Sequence, residues 1–167
     1  MNTMTIVDSH VHLWNPAQFR YSWLDGLPAL NRAFLPVDFA AASVNSNVGK
    51  IIFIECGCEP AQSLAEAGWA AVLAKDEPHL KGIIAHVSLE KGESARAELG
   101  ALASCPLVKG VRRNLQGERD AHFCLGPEFL AGARLLGRIT IGRDRRSAAM
   151  CGDAQRAGRK QPSRNRN

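Results

Sequence analysis

No stretch of this 167-residue sequence approaches the ~18 consecutive apolar residues that a membrane-crossing helix needs. Its first residues, Met1 to Val7, carry no basic cluster and no apolar run of signal-peptide length, so neither export nor membrane insertion is expected. Cysteine is present without a pattern. Cys56, Cys58, Cys105, Cys124 and Cys151 are odd in number and contain no CxxC pair, which argues against a disulfide framework and against a thiolate zinc site. Cys56 and Cys58, two positions apart, read as small apolar residues at a strand end, and a reduced, cytoplasmic chain is the expectation. Hydrophobic residues make up 46% and charged residues 22%, which excludes disorder over most of the chain.

The net charge of +5 is unevenly distributed. Residues 138–167 hold eight arginines and one lysine against Asp144 and Asp153, a net +7, whereas residues 1–137 carry 12 basic and 14 acidic side chains, a net −2. The tail also contains no Leu, Val, Phe, Trp or Tyr, and nothing in it recurs at a helix or strand period. It reads as a disordered segment distinct from the body. Its charge could attract nucleic acid or an acidic membrane surface, but it lacks the interleaved aromatics that stack on bases, which argues against nucleic acid.

In the body, short runs rich in Ile and Val alternate with amphipathic segments. Thr5 to Val7, Lys50 to Ile54, Gly82 to Val87 and Leu107 to Val111 are nearly continuous apolar runs, the pattern of parallel strands covered on both faces. Ala65, Trp69, Val72 and Leu73 make a helical stripe closed by Pro78, and Ala95, Leu99, Leu102 and Ala103 make another closed by Pro106. Phe129, Ala133 and Leu136 begin a third after Pro127, a residue suited to a first helical turn. A short helix is expected from Pro36 to Ala42, ended by Asn45-Ser46-Asn47 and Gly49. The order βαβαβαβα calls for right-handed crossovers and a parallel sheet, either doubly wound or part of a barrel. A structureless loop from about Asn15 to Leu35, holding Phe19, Tyr21, Trp23 and Phe34, reads as a lid or a binding wall.

Asp8-Ser9-His10-Val11-His12 ends the first strand. Residues two apart on a strand share a face, so His10 and His12 can converge on one ion, and imidazole suits zinc and similar metals. The plainer alternative is a pair of hydrogen-bonded histidines at a strand end.

Ile6 to Trp14, with the sequence Ile-Val-Asp-Ser-His-Val-His-Leu-Trp, resembles the opening of the amidohydrolase superfamily in its lactonase-like branch, the sugar-lactone and pyrone-dicarboxylate hydrolases. The likeness continues through Tyr21-Ser22-Trp23-Leu24, Phe53 to Cys56, Ile84-Ala85-His86 and Val108 to Arg113, and fades after Leu136. The resemblance implies an α/β chain of (β/α)₈ TIM-barrel type with only the first four βα units present, residues 1–137, followed by the 138–167 tail. It further implies hydrolysis of a lactone, or a related ester or amide, by water activated on a divalent metal, zinc first. Some members of the branch work without metal. In the family an aspartate on the eighth strand acts as base, and histidines on strands five and six complete the site. The chain therefore reads as an incomplete and inactive form, and the point where the tail begins, together with its composition, suggests a shifted reading frame. A small-molecule substrate is expected, with no membrane partner and with homodimerisation through exposed half-barrel edges. A polyanion-binding module using the tail, or a non-functional fragment, is the rival reading.

Arg112 and Arg113 end the fourth strand, where alternation turns one inward and one outward; the inward one could grip a substrate carboxylate or hydroxyl, or simply pair with a nearby carboxylate. Glu55, ending the second strand, could bind substrate or orient a ligand histidine, or else meet solvent. His86 reads as structural, and nothing singles out His79 or His122. Trp14, Tyr21 and Trp23 either wall a pocket or pin the long loop, and Trp69 is core.

Overall fold

The computed structural model describes residues 4–139. Four parallel strands, β1 (Ile6–Val11), β2 (Val48–Ile54), β3 (Leu80–His86) and β4 (Val108–Arg112), lie side by side in the order β1-β2-β3-β4. Helices α1 (Pro36–Ala42), α2 (Ser63–Asp76), α3 (Arg96–Ala103) and α4 (Pro127–Leu136) follow them in turn. A doubly wound sheet reverses its strand order at a switch point. This one never reverses, and an order that runs one way is the order of a barrel wall.

Register separates the two faces of the sheet. Val11 pairs with Phe53 and Phe53 with Ile83, and paired residues of parallel strands point the same way. These three are buried, and the Phe53 ring meets Trp69 of α2 edge to face at 6.3 Å, so theirs is the helix-covered face. Each fully buried side chain of this size contributes about 2–3 kcal/mol through the water it sheds. On the opposite face Ile54, Ile84 and Gly110 are partners, as are His86 and Arg112. Ile52 and Ile84 there are only half-buried. His10 and His12 flank Val11 and so belong to this second face.

The helices begin and end where prolines and polar clusters place them; around α3 the expected Ala95, Leu99 and Leu102 are buried, whereas the buried stripes of α2 and α4 are rotated. On α2, Val72 and Leu73 are half-buried while Glu66, Ala67, Trp69 and Ala70 are closed from solvent. Small alanines let the helix approach the sheet closely, and Glu66 finds hydrogen-bond partners that make its burial tolerable. On α4 the deepest positions are Gly132 and Leu135. A Cβ on Gly132 would stand 2.0 Å from the Leu89 carbonyl oxygen, so glycine is what lets α4 lie against the 3-10 segment Leu89–Ala95.

The segment from Asn15 to Leu35 is not structureless. It contains a 3-10 turn, Ser22–Gly26, and its ends are tied by an antiparallel bridge between Trp14 and Phe34. Aromatic packing and backbone hydrogen bonds order a stretch that has no helix or strand period. Past α4, the N–H groups of Arg138 and Ile139 both donate to Leu135 O (2.9 and 3.0 Å), and Ile139 packs on the core. The rest of the Arg-rich segment read above as a disordered tail, with Asp144, Asp153 and Cys151, lies outside the described residues. Among the described residues no helix is long and apolar enough to cross a membrane.

Candidate functional site at the strand C-terminal ends

Each strand delivers at least one polar group to the same end of the sheet. From β1, His10 Nε2 and His12 Nε2 come within 3.2 Å of each other, with the rings edge to face. His12 Nδ1 lies 3.1 Å from Ile54 O. A carbonyl can only accept, so Nδ1 carries the proton and Nε2 presents its lone pair, the arrangement metal-ligating histidines use. Burial, as the largest cause, lowers the His12 pKa below the usual imidazole value, which favours the neutral ring a metal requires. Nitrogens ~2.0–2.1 Å from a tetrahedral zinc stand roughly 3.3 Å apart. The pair therefore fits two corners of such a site. Among the described residues no group of three or more His, Cys, Asp or Glu side chains is placed to hold a metal.

Glu55, just beyond β2, is 2% exposed. Its Oε1 lies 3.1 Å from Arg112 Nη1 and its Oε2 accepts the Gly57 N–H at 2.8 Å. The Arg112 side chain is 33% exposed, so one side of the guanidinium is anchored and the other faces solvent at the mouth. His86, in register with Arg112, lies beside Ser88 Oγ at 3.3 Å, and burial lowers its pKa. Arg113 is engaged elsewhere. Its Nε and Nη2 donate to both Glu90 oxygens at 2.9 Å, Nη2 also donates to Glu118 at 2.6 Å, Nη1 donates to Asn114 O, and the guanidinium lies over Phe123. Four of its five N–H groups are thereby committed, two to Glu90 in the 3-10 segment after β3 and two to Asn114 and Glu118 in the loop after β4, so of the two arginines Arg112 is the one that faces the mouth.

The aromatic loop closes the side of this mouth. Trp14 stacks on Phe34 at 4.3 Å and meets Trp23 edge-on, while Trp23 Nε1 donates to Cys56 O at 2.7 Å. Tyr21, 1% exposed, pins the loop; Trp23, 37% exposed, is left facing outward. An open cavity of about 430 Å³ lies next to the histidine pair, lined by His12, Trp14, Arg32, Phe34, Asp38 and Phe39. His79, which precedes β3, pairs with Glu77 at the opposite end of the sheet, and His122 lies in the turn before α4. Cys56, Cys58, Cys105 and Cys124 form no disulfide. Cys56 donates its thiol to Leu13 O at 3.1 Å, and burial pushes that thiol's pKa up, so it behaves as core.

A one-way β/α wall with a His-x-His at the end of its first strand and polar groups at the other strand ends is part of a (β/α) barrel. Comparison with known proteins agrees. Over 81% of its length the chain is similar to a zinc-bound structure of an amidohydrolase from Burkholderia multivorans, with 25% identity and a TM-score of 0.64, and it spans 47% of that protein. It is likewise similar to amidohydrolase 2 from Bifidobacterium longum subsp. infantis (22% identity, TM-score 0.54, 83% of this chain and 50% of that one). A third solved relative is a probable 2-pyrone-4,6-dicarboxylic acid hydrolase from Acinetobacter baumannii (15% identity, TM-score 0.53, 81% of this chain and 47% of that one). A curated relative, the uncharacterized protein y4mH of Sinorhizobium fredii (strain NBRC 101917 / NGR234), is 29% identical over 100 residues, which is 54% of this chain and 34% of that protein. No family model matches the chain. The chain thus has the fold of the amidohydrolase 2 proteins over about half the length of the solved ones.

Proposed function

We propose that the chain carries one side of a hydrolytic site, in which His10 and His12 hold a divalent metal, zinc first, and a lactone or related ester or amide is opened by water. The observation behind this reading is the approach of two imidazole Nε2 atoms to 3.2 Å at the mouth. When bound there, such a metal supplies an acidified water and polarises the substrate carbonyl. His12 is oriented for this by the Ile54 carbonyl. Arg112, anchored by Glu55, offers its remaining donors to a substrate carboxylate or hydroxyl oxygen. Two protein ligands are fewer than the three or four of ordinary zinc sites, so binding is weak. Titration with zinc is expected to show binding by the wild type that is lost in His10→Ala/His12→Ala, since every other histidine and cysteine is common to both proteins. Equal binding by the two would refute the assignment.

The described residues carry only part of such a site. In the described residues the outer edges of β1 and β4 have no neighbouring strand, and exposed edges recruit strands from other chains. A homodimer through these edges is the partner this reading expects, in a reducing compartment such as the cytoplasm. Sedimentation velocity at two protein concentrations is the check, and a monomer at every concentration would rule the dimer out.

A further inference from the structure

Glu66 is a carboxylate on α2 that the hydrolytic reading does not use, and it is 1% exposed. Three donors surround it. The Tyr21 hydroxyl, from the aromatic loop, lies 3.0 Å from Oε1; the Cys56 N–H, from the end of β2, lies 3.3 Å from Oε2; and the Cys58 thiol is also within hydrogen-bonding reach. Cys56 in turn accepts the Trp23 indole N–H on its carbonyl and places its sulfur 3.7 Å from His12 Nδ1. Through one carboxyl group, the helix layer is therefore connected to the loop, to the strand end and to the side of the mouth. Two further bonds, Arg20 N–H to Gln62 Oε1 at 2.7 Å and Glu59 N–H to Arg20 O at 2.9 Å, hold the loop nearby but carry no titratable proton.

We propose that Glu66 is a positioning residue whose protonation state sets how firmly the aromatic loop docks: the neutral acid holds Tyr21 and Cys56 in place, and its ionisation loosens the loop. The neutral carboxyl can accept from Cys56 on one oxygen and share its own proton with Tyr21 or Cys58 on the other. The carboxylate, by contrast, is a charge shut away from water, and a buried charge favours any opening that lets water reach it. The groups facing it are Tyr21 from the loop and Glu55, Cys56 and Cys58 from the β2 end, and none of them is a cation. Burial, the largest cause, raises the Glu66 pKa from 4.5 to about 7 against the opposing hydrogen bond from Tyr21. A carboxyl whose pKa is raised in the closed state binds its proton more tightly there. The closed loop is therefore favoured at low pH and loses ground as pH rises through about 7.

The test follows the Trp23 indole N–H resonance in the ¹⁵N-labelled full chain from pH 5.5 to 8.5. In the wild type it is expected to move as the pH rises, with a midpoint near 7, and in Glu66→Gln it should stay at its low-pH position. The His12 and His86 transitions fall below the usual imidazole value and are common to both proteins. Tyr21→Phe serves as a second variant, because it removes the one bond from the loop that lowers the Glu66 pKa; its midpoint should move up. A wild-type resonance that does not move, an unchanged transition in Glu66→Gln, or an unshifted midpoint in Tyr21→Phe would each overturn the proposal.

Discussion

Mixed with zinc or manganese and offered a panel of sugar lactones, the chain is expected to hydrolyse them no faster than the same metal in buffer. The reaction needs an activated water, a base beside it and donors for the developing oxyanion, each worth ~10²–10⁴ in rate. The described residues supply two converging imidazoles and one half-exposed arginine at the mouth. Among the described residues no carboxylate joins the two imidazoles to serve as a base. Glu55 has one oxygen on Arg112 and the other on the Gly57 N–H. Glu66 is enclosed by Tyr21 and Cys56, and Asp8 caps the His10 N–H through Oδ1 at 3.1 Å. Even a placement error of ~1 Å can forfeit about 10² in rate, and here a whole role is unfilled. Dimerisation would duplicate the histidine pair and Arg112 without adding a carboxylate of a different kind. The control is His10→Ala: turnover well above background that vanishes in it would refute this expectation and show a working site.

The strands were legible because each carries a short apolar run rich in Ile and Val, although β1 continues past that run through Asp8-Ser9-His10 to Val11. The start of α1 at Pro36 was legible from proline chemistry, and its end from Asn45-Ser46-Asn47. What could not be read was set by contacts between residues far apart in the sequence. Glu66 sits on a helix where a carboxylate ordinarily faces water, and the groups that bury it lie 45 and 10 positions away. Alternation placed His10 and His12 on one face of β1, because that follows from local backbone geometry alone. It could not say which of Arg112 and Arg113 turns to the mouth. That depends on the pairing of His86 with Arg112 and on Glu90 and Glu118, which claim Arg113 from two separate loops. The order in the Asn15–Leu35 segment was hidden for a similar reason, since it comes from ring packing and a single bridge rather than from any period.

Removing Arg112 should cost more stability than its position at a partly open mouth suggests. Its partner, Glu55, is 2% exposed, and without the guanidinium its charge would keep a single N–H donor, from Gly57. Breaking a fully buried ion pair from one side costs ~3–5 kcal/mol, chiefly because the remaining charge is stranded. The Arg112 side chain is 33% exposed, so water can follow it out and reach part of the carboxylate. Arg112→Ala is therefore expected to cost about 2–3 kcal/mol, below that range yet well above the ~0–1 kcal/mol of a surface pair. The stranded charge is the cause, so neutralising it should restore much of the loss. Arg112→Ala/Glu55→Gln should accordingly be more stable than Arg112→Ala alone, a non-additivity that a double-mutant cycle reads directly. Urea unfolding of the four proteins makes the measurement. A loss below ~0.5 kcal/mol in Arg112→Ala, within the range of ordinary surface substitutions, would mean that Glu55 does not depend on Arg112. A double variant no more stable than the single one would mean that the arginine acts through packing and not through its charge.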